Sequence, residues 1–311
     1  MAPAAPALLG IVGPTASGKT DLALALAREL RVEILVADSR QVYRGMDIGT
    51  AKPDAAAQAA VPHHLLDLVD PDEPFTVAQW VAAARRLIPE IAARGALPLV
   101  VGGSGLYVTS LTDGHDYDAQ AWSPEVRARL SERLAVDGLE ALAERLGTLA
   151  PAVAARTDLR NPRRVVRALE RAESGDGGAL PRAEPYRGHV ALLGLDRPRD
   201  VIVARIEARA QRLWESGLLD EVRTLLDAGF GPQLEPMTGH GYREAARHLA
   251  GEWSRDEALE TMVRRTRQYA KRQMTWFRRD ARITWLDAGD GPADDTALVA
   301  RAAAAARALL G

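Results

Sequence analysis

The 311-residue chain contains no cysteine, which excludes disulfides and thiolate metal sites. It has no apolar run of about eighteen residues, so no transmembrane helix is expected. The apolar start, Ala7 to Val12, is too short for a signal peptide and lacks a basic leader, so it reads as a buried first strand and the expected location is cytoplasmic. Lysine is almost missing as well. Of 40 basic residues only Lys19, Lys52 and Lys271 are lysine, the rest being arginine. In a chain that uses arginine wherever either will serve, a retained lysine points weakly to a place needing a compact ammonium. What is present is ordinary for a globular protein: 47% apolar residues, 26% charged residues and a formal net charge of −2. No internal repeat is visible.

Ala7-Leu-Leu-Gly-Ile-Val-Gly13 reads as a strand entering a glycine turn, and Lys19 to Leu30 follows with Leu22, Leu26 and Leu30 at helical spacing. Val32 to Ala37 is a second strand, Phe75 to Arg94 a helix stopped by Gly95, and Leu97 to Val101 a third strand closed by Gly102-Gly103-Ser104-Gly105. Alternation of this kind predicts an α/β fold, a parallel sheet of P-loop type with helices on both faces. From Trp122 to Glu173 only helical signals occur, opened by Ser123-Pro124 and followed by the breaker Ser174-Gly-Asp-Gly-Gly178, before a strand returns at His189 to Leu195. The expected organisation is a core at 1–113, an inserted all-helical domain at 114–188, a second core part at 189–290 and a C-terminal helix or tail at 291–311. Further helices are expected over Arg199 to Ala228, Tyr242 to Ala250 and Arg255 to Arg279, then a short strand around Arg282 to Leu286 and an alanine-rich surface helix after Asp294.

The segment Gly13-Pro14-Thr15-Ala16-Ser17-Gly18-Lys19-Thr20 matches G-x-x-x-x-G-K-[ST], between a strand and a helix. Backbone amides from Ala16 to Lys19 would wrap a phosphate chain at the helix N-terminus, Lys19 would supply a point charge, and the Thr20 hydroxyl would ligate Mg²⁺. The third strand, however, ends Val100-Val101-Gly102-Gly103, without the carboxylate that supports metal and water in an NTP hydrolase. Asp38, after the second strand, is the nearest acid to the crevice at the carboxyl ends of the strands. The cradle thus reads as a holder of a phosphate chain, with ATP hydrolysis poorly supported.

Three more segments carry a resemblance. Asp38-Ser39-Arg40-Gln41 and its continuation to Pro53, Val101-Gly-Gly-Ser-Gly-Leu-Tyr107, and Arg267-Gln-Tyr-Ala-Lys-Arg-Gln-Met-Thr-Trp-Phe-Arg278 resemble the signatures of the tRNA dimethylallyltransferase (tRNA isopentenyltransferase) family of bacterial type. Pro62 to Asp67, Arg164 to Glu170 and Gly241 to Glu244 extend it, in order, over nearly the whole chain. The resemblance implies transfer of the dimethylallyl group of dimethylallyl diphosphate to N6 of the adenosine 3′-adjacent to the anticodon, with diphosphate leaving. The loop would then hold a leaving group, stabilised by Lys19, Mg²⁺ at Thr20 and the amides. Asp38 fits the family's general base. Ser104 stands where the family usually has threonine; it keeps the hydroxyl, so it is expected as a catalytic-site residue that hydrogen-bonds the reacting adenine or the leaving oxygen, and it serves equally as a helix cap. Arg205 and Arg209 could clamp the diphosphate or form a solvated helix face. His63-His64 lacks metal-ligand spacing and reads as a packing or substrate-channel feature.

Residues 261–282 hold eight cations against one acid, Asp280. One helical stripe, Arg265, Tyr269, Arg272, Trp276, Arg279, would face RNA phosphates, and another, Val263, Thr266, Ala270, Met274, Phe277, the core. The cluster Arg160, Arg163, Arg164, Arg167 overlaps the family's grip on the anticodon stem-loop, with Arg127 a weaker candidate. Gly241, Tyr242 and Arg243 offer an aromatic and a cation for stacking on loop bases, and Asp38 with Ser39, Arg40 and Gln41 beside it, together with Ser104, is expected to contact the tRNA. A monomer is expected. A small-molecule kinase, an isopentenyltransferase acting on free AMP, ADP or ATP, and a non-catalytic RNA-binding module remain as alternatives at this stage.

Overall fold

The computed structural model describes residues 5–114, 124–173 and 184–310. It divides into two compact units, Met1–Asp113 with Pro185–Gly311, and Gly114–Glu184.

The first unit is the sheet unit. Its strands are β1 (Leu8–Val12), β2 (Val32–Ala37), β3 (His63–His64), β4 (Leu97–Gly102), β5 (Val190–Asp196) and β6 (Ile283–Asp287), all parallel in the order β3-β2-β4-β1-β5-β6. Every residue of β1, β2 and β4 is buried, which is why these strands, apart from Glu33 of β2 with its Arg94 partner, read as apolar runs rather than alternating ones. Around the sheet lie α1 (Lys19–Leu26), α2 (Ala55–Ala60), α3 (Val77–Ala93) and α4 (Gly105–Asp113). The sheet unit resumes after the helical unit with α8 (Arg199–Glu215), α9 (Leu218–Asp227), α10 (Tyr242–Leu249), α11 (Arg255–Phe277) and α12 (Thr296–Leu310). The α3 helix begins with a reciprocal capping box between Thr76 and Gln79. It buries Trp80, whose indole N–H donates to the Val36 carbonyl at 3.0 Å.

The helical unit consists of α5 (Pro124–Leu149), α6 (Pro151–Ala154) and α7 (Pro162–Glu173). Gly138, at a positive φ of +82°, kinks α5, and Leu130, Leu142, Leu146, Val165 and Leu169 form a small separate core. Ser123 and the breaker at 174–178 lie outside the described residues.

Three expectations need correction. The helical unit closes at Glu184 rather than 188, because Tyr186 donates its hydroxyl to the Pro6 carbonyl at 2.7 Å and Gly188 packs on the same segment of the sheet unit. The helix expected over Arg199 to Ala228 is two helices, broken where Gly217 adopts φ +102°. The C-terminal helix is no surface tail: Leu298, Val299, Ala302, Ala303 and Ala306 are buried in the main core with α1 and β1, the alanines permitting close approach.

Candidate active site

The phosphate loop leaves β1 and turns into α1 through three unusual backbone positions, Gly13 (φ +143°), Ala16 (φ +63°) and Gly18 (φ +97°). Such a turn exposes carbonyls on its outer side, and these are taken up. Arg197 Nε donates to the Ser17 carbonyl at 2.7 Å, Arg205 Nε to the Ala16 carbonyl at 2.8 Å, and Lys19 Nζ to the Pro14 carbonyl at 2.7 Å. Amides in the first turn of α1 have no partner four residues back, so they present donors and a positive dipole end. Arg197 is buried and escaped the sequence reading. Its Nη1 also reaches the carbonyls of Ala288, Gly289 and Gly291 at 2.7–2.9 Å, tying the loop after β6 to the cradle. A buried arginine next to a strand end carries no periodic signature, which is why it was missed.

One pocket opens beside this loop, at the carboxyl ends of β2 and β4. Its polar part contains Lys19, Thr20, Asp38 and Arg209; its apolar part contains Ala23, Ile34, Val36, Ala51, Pro53 and Val101. Burial, with a smaller contribution from Arg209, lowers the Lys19 ammonium to about 7, while Asp38 opposes that shift. Burial likewise lowers Arg209, again opposed by Asp38. Two cations held against desolvation are a site in want of an anion. Arg205, one helical turn before Arg209, does not line this pocket; it braces the loop from behind, which corrects its expected role as a clamp.

Asp38 follows the last residue of β2 and accepts the Arg40 amide at 2.8 Å, a local turn that fixes its carboxylate. Ser104 does not line the pocket. Its Oγ accepts the Ser39 amide at 3.1 Å, so it ties the β2 end to the turn that enters α4. Burial raises the Tyr269 phenol to about 12. A Cβ at Gly102 would stand 2.0 Å from the Ala37 carbonyl oxygen, so no side chain fits where a hydrolase places its acid. Gln273, also missed in sequence, accepts from the Thr15 amide and donates to the Gly103 carbonyl, both at 2.8 Å. Read as one more polar residue in a basic helix, it gave no signal.

The segment from Met46 to Pro53 closes one side. Glu221 of α9 accepts the amides of Asp47, Ile48 and Gly49 and the Tyr242 hydroxyl at 2.6–3.0 Å. Lys52 is buried and bonded to Asp47, Asp67 and the Tyr43 carbonyl, so this retained lysine is a structural hub. Gln41 donates to the Thr50 and Ala51 carbonyls. Among the described residues no three His, Asp or Glu side chains form a metal cluster. The Thr20 hydroxyl fits a Mg²⁺ ligated mainly by phosphate oxygens and water, not one held in a protein cage.

A profile of the IPP transferase family matches residues 41–280, and one of isopentenyl transferases matches residues 6–66. The tRNA dimethylallyltransferase of Syntrophobacter fumaroxidans is 49% identical over 288 residues, 90% of this chain and 83% of its own. The chain belongs to the tRNA dimethylallyltransferase family. Its fold agrees with the solved tRNA isopentenylpyrophosphate transferase of Bacillus halodurans, at TM-score 0.72 and 39% identity over 97% of this chain and 96% of that one. It agrees also with a eukaryotic dimethylallyltransferase acting on tRNA, at TM-score 0.82 and 25% identity over 98% of this chain and 79% of that one.

In this tRNA dimethylallyltransferase family member the residues expected at an RNA surface divide. Arg163, Arg164, Arg167 and Arg243 are exposed, as are Arg264, Arg267, Lys271, Arg272 and Trp276 along α11 and Arg279 just past its end. Four others are engaged. Arg127 holds the buried Glu170 through two bonds of 2.6 and 2.7 Å. Arg265 turns inward to Glu244, which itself caps Gly241. Arg40 is bonded to both carboxylate oxygens and the carbonyl of Glu235. Tyr242 is 1% exposed against Gly49, so it is core and offers no stacking face. The inward stripe of α11 is also rotated: Met262, Ala270, Gln273 and Phe277 are buried, whereas Val263, Thr266 and Met274 are only half-buried.

Proposed function

We propose that this protein transfers the dimethylallyl group of dimethylallyl diphosphate to N6 of the adenosine 3′-adjacent to the anticodon in tRNA, releasing diphosphate, and that it works as a cytoplasmic monomer. The observation that carries the reading is the sharing of one pocket by Lys19, Arg209 and Asp38 with an apolar wall of Val36, Val101 and Ile34. An allylic diphosphate has the same division, an anionic head and an apolar tail.

In the proposed reaction the C1–O bond breaks and its electron pair leaves on the diphosphate. Lys19, Arg209 and the first amides of α1 stabilise that growing charge, in a cradle whose shape Arg197 and Arg205 maintain. Bound Mg²⁺, held through Thr20, would add charge neutralisation on the phosphate oxygens. N6 attacks C1 and becomes acidic, and Asp38 accepts its proton, a role worth about 10²–10⁴ in rate. Ser104 holds the loop that carries Asp38. The adenine must leave its stack to reach the pocket. The exposed arginines of α11, and separately Arg163, Arg164 and Arg167 of the helical unit, supply contacts for tRNA phosphates.

A small-molecule kinase fits less well, since the crowding at Gly102 bars the acid on which phosphoryl transfer would draw. Transfer to a free nucleotide would leave the cationic surfaces without a task. Incubation with labelled dimethylallyl diphosphate, Mg²⁺ and unmodified tRNA tests the reading: label on the adenosine next to the anticodon supports it. Label on free AMP, or ATP turnover without RNA, would replace it.

A further inference from the structure

The apolar end of the pocket is not wholly apolar. Side chains alternate along a strand, so Ile34, Val36 and Asp38 share one face of β2. The parallel register sets Val101 beside Val36 and His63 beside Ile34. His63 therefore belongs to the end of the pocket away from Asp38, four residues or about 13 Å of strand below it.

The two neighbouring histidines differ. His64 Nε2 is bonded to Glu33 at 2.7 Å. His63 Nδ1 lies 2.8 Å from the Val61 carbonyl, which can only accept, so Nδ1 carries the hydrogen. Burial lowers the His63 imidazole below its ordinary value and keeps it neutral at pH 7. Its Nε2 is then a lone-pair acceptor, buried and without a hydrogen-bond partner among the described residues. An acceptor left so among aliphatic walls is costly unless a ligand brings it a donor.

We propose that His63 accepts a hydrogen bond from a hydroxyl at the tip of the allyl chain, so that the site takes a terminally hydroxylated five-carbon allylic diphosphate as donor alongside the unsubstituted one. This rests on the prenyl-transfer reading. The chemistry is unchanged: the C1–O bond breaks with its pair on diphosphate, the N6–C1 bond forms, and the N6 proton goes to Asp38. The hydroxyl donates to His63 Nε2 and passes intact into the product. Only one of the two terminal carbons on C3 can lie toward His63, so the site distinguishes the E from the Z hydroxylated donor.

The test uses the intact protein with Mg²⁺, unmodified tRNA, and dimethylallyl diphosphate or the E or Z isomer of 4-hydroxy-3-methylbut-2-enyl diphosphate, with product nucleosides identified by mass. One isomer is expected to reach a kcat/KM within about tenfold of the plain donor and to exceed the other isomer by about tenfold, the effect of one hydrogen bond to a buried group. His63→Leu is expected to lower the ratio of hydroxylated to plain donor about tenfold, and His63→Gln, which keeps an acceptor and guards against misfolding of the first variant, to retain more of it. Equal use of both isomers, an unchanged ratio in His63→Leu, or refusal of both isomers while the plain donor is transferred would overturn the assignment. Transfer of no donor to tRNA would overturn the prenyl-transfer reading itself, and this assignment with it.

Discussion

The side-chain amide of Gln273 accepts a hydrogen bond from the Thr15 backbone amide at 2.8 Å, linking the cationic helix α11 directly to the phosphate loop. Its other end donates to the Gly103 carbonyl, so both partners fix its orientation and nothing larger fits at Gly103, where a Cβ would lie 2.2 Å from Gln273 Nε2. Replacing the amide by a carboxylate sets two acceptors face to face. Gln273→Glu is expected to cost about 1–3 kcal/mol of stability, read by thermal unfolding. It should also raise KM for the allylic diphosphate more than KM for tRNA. Equal effects on both would show that the contact does not shape the cradle.

Asp38→Ala is expected to reduce kcat by about 10²–10⁴ while tRNA affinity stays within about twofold. Single-turnover rates and filter binding separate the two. Parallel loss of both would remove Asp38 as the base.

Lys19 gives a pH dependence whose sign can be worked out. Its folded value, about 7, lies below the ordinary 10.5, so between these pH values the unfolded chain binds the extra proton. Stability contributed at this position therefore rises as pH increases from about 7 to about 10.5, and the Lys19→Met variant should lack that rise. Binding of inorganic diphosphate restores the ammonium, so proton uptake is expected on binding near pH 8, measurable by calorimetry in buffers of different ionisation enthalpy. Absence of uptake would mean that Lys19 is already charged in the free protein.

Two arginine substitutions in the helical unit should behave oppositely. Arg127→Ala takes a two-bond partner from the buried Glu170 and is expected to cost about 1–3 kcal/mol in the unfolding of that unit. Arg163→Glu with Arg164→Glu alters exposed side chains and should leave unfolding unchanged, but weaken tRNA binding and flatten its salt dependence. An unaltered salt slope would remove these two from the interface.

Much of this protein was legible along the chain because its determinants are local. A buried parallel strand must be apolar on both faces, so β1, β2 and β4 announce themselves. A phosphate loop needs glycine at fixed offsets and a lysine at the helix start, so Gly13 to Thr20 could be placed without coordinates. Asp38 follows because strand ends define the crevice.

Only the tertiary structure decided how each cation and each aromatic is spent. Arg205 and Arg209 stand one turn apart, yet the first braces the loop and the second enters the pocket. Tyr242 looks like a stacking residue beside a glycine and an arginine, but it is buried, and Glu221, 21 residues back, accepts its hydroxyl. Arg127, Arg265 and Arg40 meet carboxylates 43, 21 and 195 residues distant. Charge and helical spacing are properties of a segment, whereas partnership is a property of the folded chain. The apolar pattern of a segment fixes where it lies, and the neighbours the fold brings to it fix what its polar groups can do.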